Sequence, residues 1–131
     1  MDENEEPVER RVPVGKIRDA PGQMADPLVT QWFGEIAVGA RVAESATVPM
    51  DQVRSNPFAL ELNEEAVAAM ARNLPEGPLL VARLPWGGFI DVDTPHQSEA
   101  ARRAGVRLVE VAIVGSFTEA DCARIGIERR T

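Results

Sequence analysis

Residues 89–105 read FIDVDTPHQSEAARRAG, and this stretch decides the fold of the central part of the chain. Its apolar start predicts a strand, and the residues after that strand predict a tight turn and then a helix that runs to Ala104. Thr94 can cap that helix, Pro95 suits its first position because no N–H is needed there, and Gln97 completes a capping box. The sequence therefore predicts a strand-to-helix junction, where backbone N–H groups can bind an anion.

Four polar side chains crowd this junction, namely Asp91, Asp93, His96 and Glu99. Strand alternation would place the two aspartates on one face, and the histidine and glutamate would lie one helical turn apart. Carboxylates can hold a divalent cation, whereas a helix N-terminus can hold an anion, and the sequence leaves both open. The structural alternative is a turn cap, a solvated helix acid and an ordinary polar histidine.

The pattern on either side of the junction predicts a compact α+β domain with a small mixed sheet and three or four helices. The predicted strands are Val48–Met50, Pro78–Arg83, Phe89–Val92 and Arg107–Val114, the second and third joined as a hairpin by the turn at residues 85–88. The predicted helices are a short one near 26–37, one from Asn63 to Leu74, the junction helix and one that starts at Thr118. Residues 52–54 are predicted to be a turn of helix or a loop.

Composition and pattern divide the 131 residues into four segments. These are a disordered acidic start at 1–7, an N-terminal arm with a short helix at 8–46, a core at 47–127 and a tail at 128–131. The start lacks the basic end and apolar centre of a signal peptide, and no apolar run is long enough to span a membrane. A single cysteine, Cys122, excludes an internal disulfide, so we expect a cytoplasmic protein.

The net charge of −7 argues against a protein coated uniformly in nucleic acid, but the charge is unevenly distributed. Residues 100–131 carry six arginines against four acids, whereas residues 1–99 carry eight basic residues against seventeen acids. Three of those arginines, Arg102, Arg103 and Arg107, are candidates for contact with a DNA backbone. They suit a solvated helix face equally well.

Residues 48–57 read VPMDQVRSNP, which matches a phrase of the form Ile-Pro-x-(Asp/Glu)-x-Ile-x-x-Asn-Pro. This phrase, the Gly-Pro-Leu-Leu-Val strand that starts at Gly77 and the Ala-Ala-x-x-Ala-Gly helix at 100–105 resemble the ParB and sulfiredoxin superfamily. The resemblance covers about half of the chain. It implies a single compact ParB/sulfiredoxin-like domain.

The junction departs from the superfamily pattern, in which the turn reads Asp-Gly-x-x-Arg or Gly-x-x-Arg. Asp93 and His96 are retained, but Thr94 replaces the glycine and Gln97 replaces the arginine. A neutral glutamine lacks the bidentate, charge-assisted grip of arginine on a phosphate. The cysteine that sulfiredoxins use would fall on Pro95, so sulfiredoxin activity is not expected.

The resemblance implies nucleotide and DNA chemistry, and it extends to small plasmid proteins that inhibit DNA transfer (fertility inhibition). We expect a metal-dependent NTPase or DNase in which His96, Asp93 and Glu99 are catalytic and the two carboxylates hold Mg²⁺. Arg54, Thr94 and Gln97 would bind the phosphates of ATP or CTP. A protein partner in a DNA-transfer or secretion apparatus is also implied. The alternative function is a catalytically degenerate ParB-fold module that acts by binding another protein.

Overall fold

The computed structural model describes residues 26–55, 63–74, 77–93 and 95–129. The helices in this part of the chain are α1 (Pro27–Ala37), α2 (Glu64–Arg72), α3 (Pro95–Arg103) and α4 (Glu119–Ile125). The strands there are β1 (Glu44–Pro49), β2 (Val53–Arg54), β3 (Leu79–Arg83), β4 (Phe89–Asp91) and β5 (Leu108–Ser116). The 3-10 turn Met50–Gln52 joins β1 to β2. These elements confirm the predicted α+β class.

The strands form one mixed sheet in the order β1-β5-β3-β4-β2. The pairs β1/β5 and β3/β4 are antiparallel, whereas β3/β5 and β2/β4 are parallel. Asp91 at the end of β4 pairs with Val81, and Phe89 at its start pairs with Arg83. The chain therefore leaves β4 for α3 at one end of the sheet, and β3 and β5 end together at Arg83 and Ser116 at the opposite end.

Helices cover both faces of this sheet. On one face, Trp32 and Phe33 of α1 and Cys122 of α4 pack in a cluster with Leu80 and other strand residues. On the other face, Ala101 of α3 belongs to a second cluster of buried strand side chains. Because β3 is covered on both sides, residues 79–82 are all buried, which explains their continuous apolar run.

The structure differs from the predicted elements at three places. Strand β1 begins at Glu44, four residues before the predicted start and inside the predicted arm, because β5 pairs with it along its length, and Met50 belongs to the 3-10 turn instead of the strand. Residues 52–54, predicted as a turn of helix or a loop, include the strand β2, because β4 provides a parallel partner for it. Such a partner is a tertiary contact that the local pattern does not carry. In addition, β5 continues to Ser116, two residues beyond its predicted end, since Ser116 still pairs with Arg83.

Five of the predictions lie outside the described residues. These are the disordered start at 1–7, the part of the arm at 8–25, the Asn-Pro phrase at 56–57, the roles of Thr94 and the last two residues of the tail. None of the helices in the described part of the chain has the length and apolar character needed to cross a membrane.

Helix α1 begins where the sequence predicts it, because Asp26 caps it and Pro27 fills its first position. The Leu28 N–H donates to Oδ2 of Asp26 at 3.0 Å. Arg124 of α4 donates to both carboxylate oxygens of Asp26, at 2.6 Å and 3.4 Å. The Asp26 side chain is only 6% exposed, so one buried carboxylate both caps α1 and ties it to α4.

Replacement of Asp26 by alanine is expected to lower the free energy of unfolding by about 1–2 kcal/mol, since it removes the cap and the ion pair together. Asp26→Asn is the matched control, because asparagine caps helices as well as aspartate does but carries no charge. It should therefore cost less than Asp26→Ala. Urea unfolding followed by circular dichroism measures both, and equal losses would show that the cap contributes nothing.

Candidate functional site

The carboxyl group of Asp91 closes the turn between β4 and α3. Its Oδ1 accepts the Asp93 N–H at 2.8 Å, which is an Asx turn, and its Oδ2 accepts the Ser98 hydroxyl at 2.8 Å. Asp91 and Ser98 are both fully buried. Burial raises the pKa of Asp91 to about 7, against the opposing effect of the two hydrogen bonds. The buried carboxyl group of Asp91 thus holds the turn at the base of the junction through these two hydrogen bonds.

Asp93 lies beyond the end of β4, in the bend that leads to α3, and it is half-buried. Strand alternation therefore does not apply to Asp93. The expectation that Asp91 and Asp93 lie on one face of the strand no longer follows from it. Thr94 lies outside the described residues, so its capping and phosphate-binding roles stay predictions. Helix α3 begins at Pro95, as the sequence predicts.

His96 joins the beginnings of two helices. Its Nε2 accepts the backbone N–H of Asn63 at 3.0 Å, and Asn63 in turn caps α2 through Oδ1, which accepts the Ala66 N–H at 3.0 Å. The N-terminal ends of α2 and α3 therefore lie side by side. Because this bond occupies the Nε2 lone pair, His96 could act as a base at that atom only after releasing Asn63. Gln97 is half-buried on the same first turn of α3.

The carboxylate of Glu99 is paired with arginines of its own helix. One oxygen lies 3.3 Å from Nη1 of Arg102, and the other lies 3.2 Å from Nε of Arg103. Arg103 also bonds Glu64 of α2 at 2.8 Å, and this bond lowers the pKa of Glu64. Glu99 is thus part of a charge network between α2 and α3.

The donor set at the junction does not fit magnesium as the structure places it. Both oxygens of Glu99 already face guanidinium groups. Among the described residues, no group of three or more histidine, cysteine, aspartate or glutamate side chains is arranged to hold a metal ion. The assignment of Asp93 and Glu99 as magnesium ligands remains a prediction.

Arg102 holds the edge strand β2 against α3. Its Nη2 donates to the carbonyl oxygen of Val53 at 2.7 Å, and its Nη1 donates to Oγ of Ser55 at 3.1 Å. Both bonds are charge-assisted. An edge strand has no neighbour on one side to donate hydrogen bonds to its carbonyl oxygens, and Arg102 provides such a donor. Arg107 is exposed, and its carbonyl oxygen accepts the Met50 N–H at 2.9 Å. Two of the three predicted DNA contacts, Arg102 and Arg103, thus already have partners within the protein.

Arg54 lies away from the α3 side of the sheet. Its neighbour Val53 is buried in the cluster beneath α3, so alternation directs Arg54 to the α4 side. There its Nη1 donates to the carbonyl oxygen of Glu128 at 2.6 Å. The structure thus brings His96 and Asn63 together, and it places the Arg54 guanidinium beside the residues that come after α4.

Sequence reasoning missed two parts of this arrangement. It did not single out Ser98 as the partner of Asp91, and it did not assign Arg102 to the carbonyl of Val53. The Asx turn at Asp91 has a local signal, an aspartate two residues before the bend. The bond from Arg102 spans 49 residues, so no local pattern could have indicated it.

No protein-family model matches this chain, and no curated protein sequence matches it. The chain is similar to a solved structure of the C-terminally truncated chromosome-partitioning protein ParB from Caulobacter crescentus in complex with CTP-gamma-S. The identity is 22% and the TM-score 0.45, with 63% of this chain and 50% of that chain covered.

A second solved structure holds the truncated Caulobacter crescentus ParB on the centromeric parS site. Its identity to this chain is 22% and its TM-score 0.46, with 62% of this chain and 45% of that chain covered. This chain therefore spans about half the length of the ParB structures it matches.

Proposed function

We propose that this protein binds the phosphate groups of a nucleotide at the junction of residues 91–99. The observation that carries the proposal is the hydrogen bond from the Asn63 N–H to His96, because it holds the beginnings of α2 and α3 together. Helix N-termini present backbone N–H groups and the positive end of a dipole, so two adjacent ones favour a multiply charged anion. ATP and CTP are the ligands that the superfamily resemblance implies.

The charges around the two helix beginnings are compatible with such an anion. Glu64 and Glu65 lie in the first turn of α2, where carboxylates repel a phosphate. Arg103 pairs with Glu64 at 2.8 Å, whereas Glu65 is exposed to solvent, which screens its charge. His96 and Gln97 lie on the first turn of α3 and supply side chains to the same region. Arg54 could bind a phosphate at the junction, as predicted, only if its guanidinium group left the carbonyl oxygen of Glu128.

The finer form of the proposal is hydrolysis of nucleotide or DNA phosphoesters at this junction, with His96 as the central catalytic group. DNA would then lie against Arg102, Arg103 and Arg107. The resemblance to small plasmid proteins extends the proposal to control of DNA transfer, with a protein partner in a transfer or secretion apparatus.

A second candidate function is a module that binds another protein and performs no turnover. The observation that favours it is the charge network of Glu99, in which a predicted catalytic carboxylate is paired with Arg102 and Arg103. The loss of the superfamily's glycine and arginine at Thr94 and Gln97 points the same way.

Binding of fluorescent ATP and CTP to the full chain, followed by anisotropy, tests the first proposal. Truncation of His96 or Gln97 to alanine should raise the dissociation constant by about tenfold, the range for a lost charge-assisted hydrogen bond. Gln31→Ala is the matched control for Gln97→Ala. Gln31 is an exposed glutamine on α1, on the opposite face of the sheet, and its replacement should leave binding unchanged.

Phosphate release and nicking of supercoiled plasmid, with magnesium and with a chelator, then separate binding from hydrolysis. Turnover that disappears on chelation and in His96→Ala would support the enzyme. Nucleotide binding without turnover would limit the function to binding. Absence of binding by a folded sample would contradict the proposal and favour the protein-binding module.

A further inference from the structure

A cavity of about 350 Å³ lies at the end of the sheet opposite the junction, where β3 and β5 finish. Arginine and glutamate side chains contribute to its lining, namely Arg41, Arg83 and Glu44, together with Trp32 and the backbone around Val114. Crevices beyond the carboxyl ends of parallel strands are common ligand sites in open sheets. The location and the two guanidinium groups make this cavity a candidate for anion binding.

The guanidinium group of Arg41 is held on three sides. Its Nε donates to Glu35 at 2.7 Å, its Nη1 donates to the carbonyl oxygen of Val114 at 3.3 Å, and its central carbon lies 5.8 Å from the Trp32 ring centroid. Among the described residues, its Nη2 has no acceptor. Because the side chain is already ordered, a ligand would lose little conformational entropy in meeting it.

Arg83 offers further donors to the same cavity. Its Nη2 donates to Glu44 at 2.7 Å, and its central carbon lies 5.8 Å from the Phe89 ring centroid. Within the described part of the chain, neither its Nε nor its Nη1 has an acceptor. The side chain is 44% exposed, so these donors are open to solvent and to a ligand.

We propose that this cavity binds the oxyanion of a small ligand, a carboxylate or a phosphate group, through Arg41 and Arg83. Guanidinium forks match the geometry of both groups and form charge-assisted bonds with them. Glu44 pairs with Arg83 and repels an incoming anion, so it sets the affinity of the site. This site is separate from the nucleotide site proposed at the junction, because the two lie at opposite ends of the sheet.

The test is a titration of the ¹⁵N-labelled full chain with inorganic phosphate and, separately, with acetate, at constant ionic strength. The arginine Nε–H signals are followed by NMR and assigned with the variants. Saturable shifts of the Arg41 and Arg83 signals with one dissociation constant are expected for at least one anion. Saturation by phosphate alone or by acetate alone would support the site and identify its ligand class.

Two variants are expected to change the dissociation constant in opposite directions. Arg83→Gln should raise the dissociation constant by about tenfold through the loss of a charge-assisted bond, and Glu44→Gln should lower it by about threefold through the loss of repulsion. Arg72→Gln is the matched control, because Arg72 is exposed on α2, and it should have no effect. Shifts that fail to saturate with either anion, or an equal weakening by Arg72→Gln, would overturn the proposal. Glu44→Gln keeps the test valid should Arg83→Gln fail to fold.

Discussion

Replacement of Gly115 by alanine is expected to lower the free energy of unfolding by about 3 kcal/mol, the upper range for overpacking a core. An added Cβ would overlap three atoms of the Trp32 indole. That indole is 4% exposed and packs against Phe117, with ring centroids 5.2 Å apart, so moving it away from the new methyl group would disrupt this packing. Chemical denaturation followed by circular dichroism measures the change.

Gly34→Ala is the matched control, since a Cβ there meets nothing within 4 Å. Gly34 lies inside α1, where alanine is the better helix former, so this variant should gain about 0.5–1 kcal/mol. A smaller ring at position 32 should also relieve the clash. Gly115→Ala should therefore cost less in a Trp32→Phe background, which is a measurable coupling. Equal effects of alanine at 115 and 34 would contradict the packing argument.

The contribution of Asp91 to protein stability is expected to fall as the pH rises from about 4 to about 7. Its pKa is raised from 3.8 to about 7 in the folded protein, chiefly by burial. In this range the folded state holds the proton and the unfolded state does not, so raising the pH favours unfolding. The shift corresponds to a loss of roughly 4 kcal/mol across the range, and this group contributes no further slope above it.

Asp91→Asn isolates this contribution, because an uncharged asparagine can accept the Asp93 N–H through Oδ1 and donate its amide N–H to the Ser98 hydroxyl oxygen. The variant should be more stable than the wild type at pH 8 and no more stable at pH 5. Urea unfolding of both proteins at several pH values measures the difference. The variant must be compared with the wild type at each pH, because Asp121, Glu35 and Glu64 have lowered pKa values. The stability that these three groups contribute is lost in acid, in the opposite direction to the effect of Asp91. Parallel curves for the two proteins would rule out the role assigned to Asp91.

The elements that the sequence predicted well have local signals. Helix α3 begins at Pro95, and α4 begins with the predicted Thr118 and Asp121 capping box, because a cap needs only residues within one turn. The hairpin of β3 and β4 is confirmed for a similar reason, since a short turn joins its strands. Strand β2 was missed because its two residues acquire strand geometry only by pairing with β4.

The candidate site was predictable in part. Sequence reasoning located the junction and its polar residues, since they are adjacent in the chain. It could not foresee that Glu99 would pair with Arg102 and Arg103 rather than face a metal, because helix spacing alone allows both. Nor could it place Arg54, whose partner Glu128 lies 74 residues away.

Local sequence signals were sufficient to predict the α+β class, most element positions and the strand-to-helix junction, because caps, turns and periodicity act over a few residues. Which side chains meet at the junction depends instead on contacts between residues that are distant in the chain. The bond of His96 to Asn63 spans 33 residues, and the burial of Asp91 depends on helices and strands closing around it. Such contacts result from how the sheet orders its strands and from which helix covers each face, and these depend on the packing of the whole chain.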